Sequence, residues 1–237
     1  MPTSRFTIRR PAASGASPAA LARAVEPRFA RLAPSERIEL EAVLWEDVAS
    51  EYDARFLSRE LAARRPLWGA PLRAAERHWA REERDHHNGF RAVFEAGFGA
   101  TRDVDAELAA RAPDFTPFLE LLDDEFALAC LWAYDEFATV RVYRHYLPLY
   151  ARLGPEFVAF VHGVIADEAR HYASFLEVAR QHFPERHADL PAVLERIRAV
   201  EGQPYAATFL LDHDDPVFSA RLLASAERAL LEHVPSA

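Results

Sequence analysis

Two stretches of this 237-residue chain place a glutamate three residues before a histidine: Glu83 and His86 in WAREERDHH, Glu168 and His171 in DEARHYASF. Residues three apart on a helix share a face. The first pair shares its face with Leu72, Trp79, Phe90, Val93 and Phe94. The second shares one with Phe157, Val161, Val164, Ile165, Phe175 and Ala179. Both pairs therefore point into an apolar interior, where an uncompensated carboxylate costs several kcal/mol unless a cation or another partner meets it. Glu-x-x-His on two core-facing stripes supplies the two halves of a carboxylate-bridged di-metal site.

With 10 His and 23 Glu in 237 residues, chance alone gives about one Glu-x-x-His, so the setting of the pairs carries the argument. Each pair lies mid-stripe, and each glutamate follows a second acid, Glu82 or Asp167. A further stripe of Ala129, Trp132, Ala133, Val140, Tyr143 and Leu147 carries a lone Glu136. Two surface Glu–His pairs would put the charge on the opposite faces. Glu82 and Asp167 are placed to hydrogen-bond the distal nitrogens of the histidines and so orient them. Trp79 and Trp132, each four residues before a candidate ligand, read as core packing rather than an electron relay. His87 and the DHDD run at 212–215 read as surface or capping residues.

The helices that must position these groups follow from composition and period. Half of the residues are hydrophobic, only 8 are Gly, and the clear apolar periodicity is 3.6, so the chain reads as all-α. A net charge of −9 without a basic patch argues against nucleic acid and anionic membranes as partners. All 28 basic residues are Arg, which excludes Schiff-base and P-loop lysine chemistry. Cys130 is the single cysteine, so disulfides, Cys-rich zinc sites and iron–sulfur clusters are excluded, and a packed thiol is expected. Residues 1–20 are basic and rich in Ala, Ser and Pro, and they read as a disordered N-terminal arm without the apolar core of a signal peptide. With no stretch of membrane-spanning length, a cytoplasmic protein is expected.

One helical domain is expected over 21–237. A short helix spans about Pro18 to Leu32. The first long helix opens at Ser35, behind Pro34, with Ile38, Leu44, Trp45, Val48, Tyr52 and Phe56 on one side, and ends near RRPLWGAP. The second runs from about Pro71 to Gly97 or Gly99. A weak helix at 103–111 leads to a third long helix over 117–152, bent at Pro148. The LGPE turn then starts a fourth, ending near Phe183. The ligand-bearing bundle covers about 36–183, and short helices at 189–201 and 216–233 follow. The organisation is a duplicated hairpin: a long helix with a lone glutamate, a turn, then a helix with Glu-x-x-His.

The first long helix leaves its ligand open. By stripe, Glu41 is favoured, among Ile38, Leu44, Trp45 and Val48. By reach, Glu46 and Glu51 are favoured, because a partner level with Glu83 should lie about 12 to 20 residues before the turn.

WAREERDH resembles the W-T-A-E-E-N-R-H of soluble acyl-carrier-protein desaturases, members of the ferritin-like di-iron superfamily. DEARH is similar to their DEKRH, and YDEFAT to their FQERAT, which sets Glu136 on their third-helix ligand. Their first-helix ligand opens a Glu-Glu pair with Tyr six residues on; EDVASEY offers Glu46 with Tyr52, so the resemblance selects Glu46, with Glu51 second. It covers about residues 36–183. It implies a ferritin-like four-helix bundle with extra short helices at both ends, ligated through Glu46, Glu83, His86, Glu136, Glu168 and His171. Thr139, one turn beyond Glu136, matches a threonine on the oxygen-binding side and would act as a general acid there.

Four carboxylates and two neutral imidazoles balance two divalent cations, and such donors suit two iron ions, or manganese with iron, better than structural zinc. The expected function is an O2-activating di-iron oxidase or oxygenase, desaturase- or hydroxylase-like, acting on an apolar, acyl-type or carrier-bound small molecule. An external ferredoxin-type electron donor is implied by the resemblance, and a homodimer is compatible with it. The alternative is a ferritin-like iron-handling protein. A metal-free binding module would leave the buried carboxylates uncompensated.

Overall fold

Proline opens most of the long helices, because its missing N–H falls where a helix has no partner for one. The computed structural model describes residues 17–201, 210–211 and 216–234, and among them every regular element is helical. α1 spans Pro18–Phe29, α2 Pro34–Glu60, α3 Ala70–Phe98, α4 Val104–Ala109, α5 Leu119–Leu122, α6 Glu125–Tyr150, α7 Pro155–His182, α8 Leu190–Val200 and α9 Ala220–His233. A proline sits in the first turn of α1, α2, α3 and α7. Residues 1–16 of the expected N-terminal arm and the DHDD run lie outside the described residues. No helix among the described residues is long and apolar enough to cross a membrane.

The expected third helix over 117–152 is in fact two pieces. Asp124 interrupts it: its carboxylate accepts from the amides of Phe126 (2.9 Å) and Ala127 (3.1 Å) and caps a fresh helix, α6. The preceding residues form a 3-10 turn, Thr116–Phe118, and the single turn α5. Pro148 falls in the last turn of α6, where few intrahelical bonds remain to be lost. The LGPE turn forms as expected, with Gly154 at φ 98, a conformation that a Cβ would strain.

α2 packs along α3, α6 along α7, and α3 along α7, while α1 lies against α3 and α7, and α8 and α9 against α6. At Gly89 the ring of Phe160 approaches so closely that an added Cβ would sit 2.3 Å from it. This contact brings α3 and α7 together one turn from His86. The apolar core divides into two clusters, one around Trp79, Trp132 and Phe175, the other around Phe90, Val140, Tyr143 and Val164. On each long helix the candidate ligands fall between members of the two clusters. A polar layer thus crosses the middle of an otherwise apolar interior.

Asp124 also receives Arg186 at 2.9 Å. Burial pushes its carboxyl up, but Arg186 and the amides of Ala127 and Phe126 outweigh this and hold it below the ordinary 3.8. Asp124→Ala should lower stability by about 0.5–2 kcal/mol, the usual worth of such a cap. A carboxyl lowered on folding stabilises above its unfolded pKa and ceases to do so as pH falls through the folded one. Thermal unfolding of the two proteins should therefore differ fully at neutral pH and converge well below pH 3.8.

Candidate metal centre

On α2 the buried positions Leu40, Leu44, Asp47, Glu51 and Ala54 repeat every three or four residues. That stripe puts Glu51 inside the protein. Glu46 lies two residues from Leu44, about 200° around the helix, and is exposed. The selection of Glu46 is thereby corrected: it stands on the outer face, and Glu51 occupies the interior position. Glu41 is half-buried and outside the cluster, and its expected stripe neighbour Ile38 is 70 % exposed. Asp53, two residues beyond Glu51, is fully buried and receives the Arg111 guanidinium at 2.7 Å, which ties α2 to the segment after α4.

Six buried side chains from four helices converge: Glu51 of α2, Glu83 and His86 of α3, Glu136 of α6, Glu168 and His171 of α7. They form two overlapping donor sets. Glu51, Glu83, His86 and Glu168 offer atoms within 4.8 Å of one another, as do Glu83, Glu136, Glu168 and His171. Glu83 and Glu168 belong to both. The two Glu168 oxygens divide between the sets, Oε1 lying 3.0 Å from His86 Nδ1 and Oε2 2.7 Å from His171 Nδ1. His86 Nδ1 is also 3.5 Å from Glu51 Oε2, and His171 Nδ1 is 3.3 Å from Glu83 Oε1 and 3.6 Å from Glu136 Oε2. The imidazole centroids are 6.2 Å apart.

His171 Nδ1 and Glu168 Oε2 form a hydrogen bond, but several of the other donor atoms crowd together without pairing. Glu51 Oε2, Glu83 Oε1, His86 Nδ1 and Glu168 Oε1 are buried and make no hydrogen bond. Burial and the neighbouring carboxylates, Glu168 foremost, push Glu83 and Glu136 well above the ordinary carboxyl range. Burial pushes His86 and His171 down, but Glu168 with Glu51, and Glu136 with Glu168, outweigh it and raise them. Glu168 itself is raised by burial and more strongly lowered by the two histidines. These upward shifts favour protons on His86, His171, Glu83 and Glu136, which offset the buried carboxylate charge. Cations would displace them, since carboxylate oxygens and imidazole nitrogen bind metal deprotonated. The orphaned atoms and the shared carboxylates fit metal ions.

Outside the cluster the two motifs brace each other. The acid before each ligand glutamate meets the other motif's histidine: Glu82 Oε2 is 3.0 Å from His171 Nε2, and Asp167 Oδ2 is 3.2 Å from His86 Nε2. Arg170 joins the two acids, donating to Asp167 and lying 3.6 Å from Glu82, which Arg81 also meets at 3.3 Å. Burial raises Glu82, yet His171 and Arg170 hold it at about 2. The spacing put both acids beside histidines; the crossed pairing and the bridging Arg170 depend on how α3 and α7 face each other. Trp79, Trp132 and Phe175 close one end of the layer, with Trp132 stacked on Phe175 at 4.5 Å, and Phe90 stacks on Tyr143 at 5.5 Å at the other. A cavity of about 330 Å³ reaches His171 from outside, between α3 and α7, past Arg81, Glu82, Arg170 and Ser174. Its lining mixes these polar side chains with Ala75 and Phe175.

Two further expectations change. Thr139 does not join the cluster; its hydroxyl donates to the Asp135 carbonyl of its own helix at 3.1 Å. His87 is not a surface group. It is buried between α3 and α2, with Nδ1 3.0 Å from the Val48 carbonyl and its ring on Tyr52. Cys130 is buried among apolar neighbours, as expected.

A polar layer kept for ligation is a burden on the metal-free fold, because buried ionic groups are often replaced by apolar ones without loss. Glu136→Leu should leave the metal-free protein as stable as the wild type or more stable, by up to about 4 kcal/mol. Added divalent metal should raise the thermal midpoint of the wild type much more than that of the variant. Differential scanning calorimetry with and without metal checks both.

No protein-family model, no curated protein and no solved structure matches the chain.

Proposed function

We propose that this chain is a ferritin-like four-helix bundle, α2, α3, α6 and α7, which holds two iron ions and uses O2 to oxidise an apolar or acyl-type small molecule. One observation carries the reading: two buried donor sets, each with one histidine and one glutamate of its own, share Glu83 and Glu168. Two ions, rather than one, use all six side chains. Four carboxylates and two neutral imidazoles neutralise two divalent charges, and hard oxygen with imidazole nitrogen suits iron, or manganese with iron.

When bound, the ion pair supplies the electrons and Lewis acidity for O2 reduction. The chain's own residues do the rest. Glu83 and Glu168 hold the two positions together. Glu82 and Asp167 accept from the distal imidazole nitrogens, fixing the rings so that Nδ1 faces inward. Trp79, Trp132 and Phe175 at one end, and Phe90 at the other, are fully buried and keep bulk water from the layer. Reduction of O2 requires an electron source, so an external donor such as a ferredoxin belongs to the proposal, as does a cytoplasmic setting.

The acids next to the cluster favour oxygenase over iron transit. A protein that passes iron through its site needs carboxylates free to hand it outward, whereas Glu82 and Asp167 are held by histidines and Arg170.

Anaerobic loading should give about two iron ions per chain, and Glu136→Ala or Glu168→Ala should abolish the coupled pair. The reduced protein should consume O2 in a single turnover and retain its oxidised iron. One zinc per chain, or no iron after anaerobic loading, would reject the metal assignment. Uptake of aerobic ferrous iron far beyond two per chain, into a mineral core, would replace the oxygenase by the iron-handling reading.

A further inference from the structure

Tyr143 is buried on α6, two turns beyond Glu136, and its hydroxyl donates to Oε1 of Glu51. The other oxygen, Oε2, is left without a hydrogen bond and faces His86 Nδ1 at 3.5 Å. The ring is held independently of the hydroxyl, stacked 5.5 Å from Phe90 with 8° between the planes. The phenol is thus placed on one oxygen of one carboxylate and is fixed there by packing.

Among the described residues nothing equivalent reaches Glu136. Tyr143 follows Glu136 by seven residues, and the residue in the same relation to Glu51 on the duplicated hairpin is Ser58. Ser58 is turned away, donating to Glu76 Oε1 at 3.1 Å and receiving Arg65 at 2.8 Å. Among the described residues, Glu136 leans on groups of the cluster itself, His171 and Glu168. The two donor sets match in residue type but not in what holds their unshared carboxylates.

We infer that Tyr143 is a positioning residue that makes the two metal positions unequal. By holding Oε1, it presents Glu51 to the ion beside His86 through Oε2 alone, and it draws charge away from that carboxylate. The ion beside His171 is bound by an unrestrained Glu136, whose carboxylate can change its mode of contact. The first position is then rigid and the second adaptable. This rests on the di-metal reading above.

Tyr143→Phe keeps the ring and its stacking and deletes only the hydroxyl. The metal-free full chain is titrated with Co(II), whose visible spectrum reports ligand number and type, by calorimetry and absorbance. The wild type should take up two ions per chain in steps of different affinity. In Tyr143→Phe the step that belongs to the His86 position should weaken by about 10- to 100-fold, the usual range for loss of a group that supports a ligand. The other step should not change, and the cobalt spectrum of the affected position should alter. His86→Ala identifies that step, and adding Tyr143→Phe to it should have no further effect. Tyr150→Phe removes the hydroxyl bonded to Asp47 at 2.8 Å and should leave both steps alone. If Tyr143→Phe leaves both steps and the spectrum as in the wild type, or weakens both equally, the inference is overturned while the di-metal reading stands. A wild type that binds fewer than two ions overturns the di-metal reading itself.

Discussion

Charge buried without compensation is the constraint on which this structure turns. Glu51, Glu83, Glu136 and Glu168 are each no more than 4 % exposed, and they lie close enough to repel one another. A fold tolerates such a group only if something positive sits at its centre. The upward shifts of His86, His171, Glu83 and Glu136 favour protons in that role. The arrangement is poor as protein–protein bonding: His86 Nδ1 comes within 3.0 Å of Glu168 Oε1 and still makes no hydrogen bond with it. Donor atoms aimed at shared points rather than at each other are what ion ligation requires.

The rest of the molecule can be understood as what keeps that layer in register. Gly89 lets Phe160 close the gap between α3 and α7, so the two Glu-x-x-His segments face each other at one height. The crossed contacts of Glu82 with His171 and of Asp167 with His86 then lock the imidazoles from the outside, with Arg170 bridging both acids. Asp47 with Tyr150, and Asp53 with Arg111, hold α2 at two further points, four residues before and two residues after Glu51. Apart from Arg170 with Asp167, each of these contacts joins a helix to another part of the chain, so the position of each candidate ligand is set by more than its own element.

The two halves of the site repeat one pattern of residues but are not interchangeable. Each hairpin carries a lone glutamate followed by Glu-x-x-His, and each motif's leading acid serves the other's histidine. The hydroxyl of Tyr143 breaks that relation, because Ser58, the residue in its place on α2, is drawn to Glu76 and Arg65 near the first turn. A repeated frame with one unequal support leaves two donor sets of the same residue types that are held differently.

The local spacing was enough to determine the helical class, the two Glu-x-x-His pairs, Glu136 and the acids beside the histidines. Each of these depends on the 3.6-residue period, which acts within a few turns of a single helix. The break before α6 was legible in principle, since Asp124 is a strong capping residue, but the apolar pattern on both sides concealed it. The choice of Glu51 over Glu46 turned on which face of α2 meets α3 and α6, and α2 carries acids on several faces. The buried stripe through Leu40, Leu44, Asp47 and Glu51 contains an acid of its own, Asp47, which disguised it as a surface. Only tertiary structure shows that Asp47 is met by Tyr150 and Glu51 by Tyr143, residues 103 and 92 positions away. A carboxylate's partner on another helix leaves no mark on its own helix, so side-chain pairing between helices had to be decided by the packed molecule.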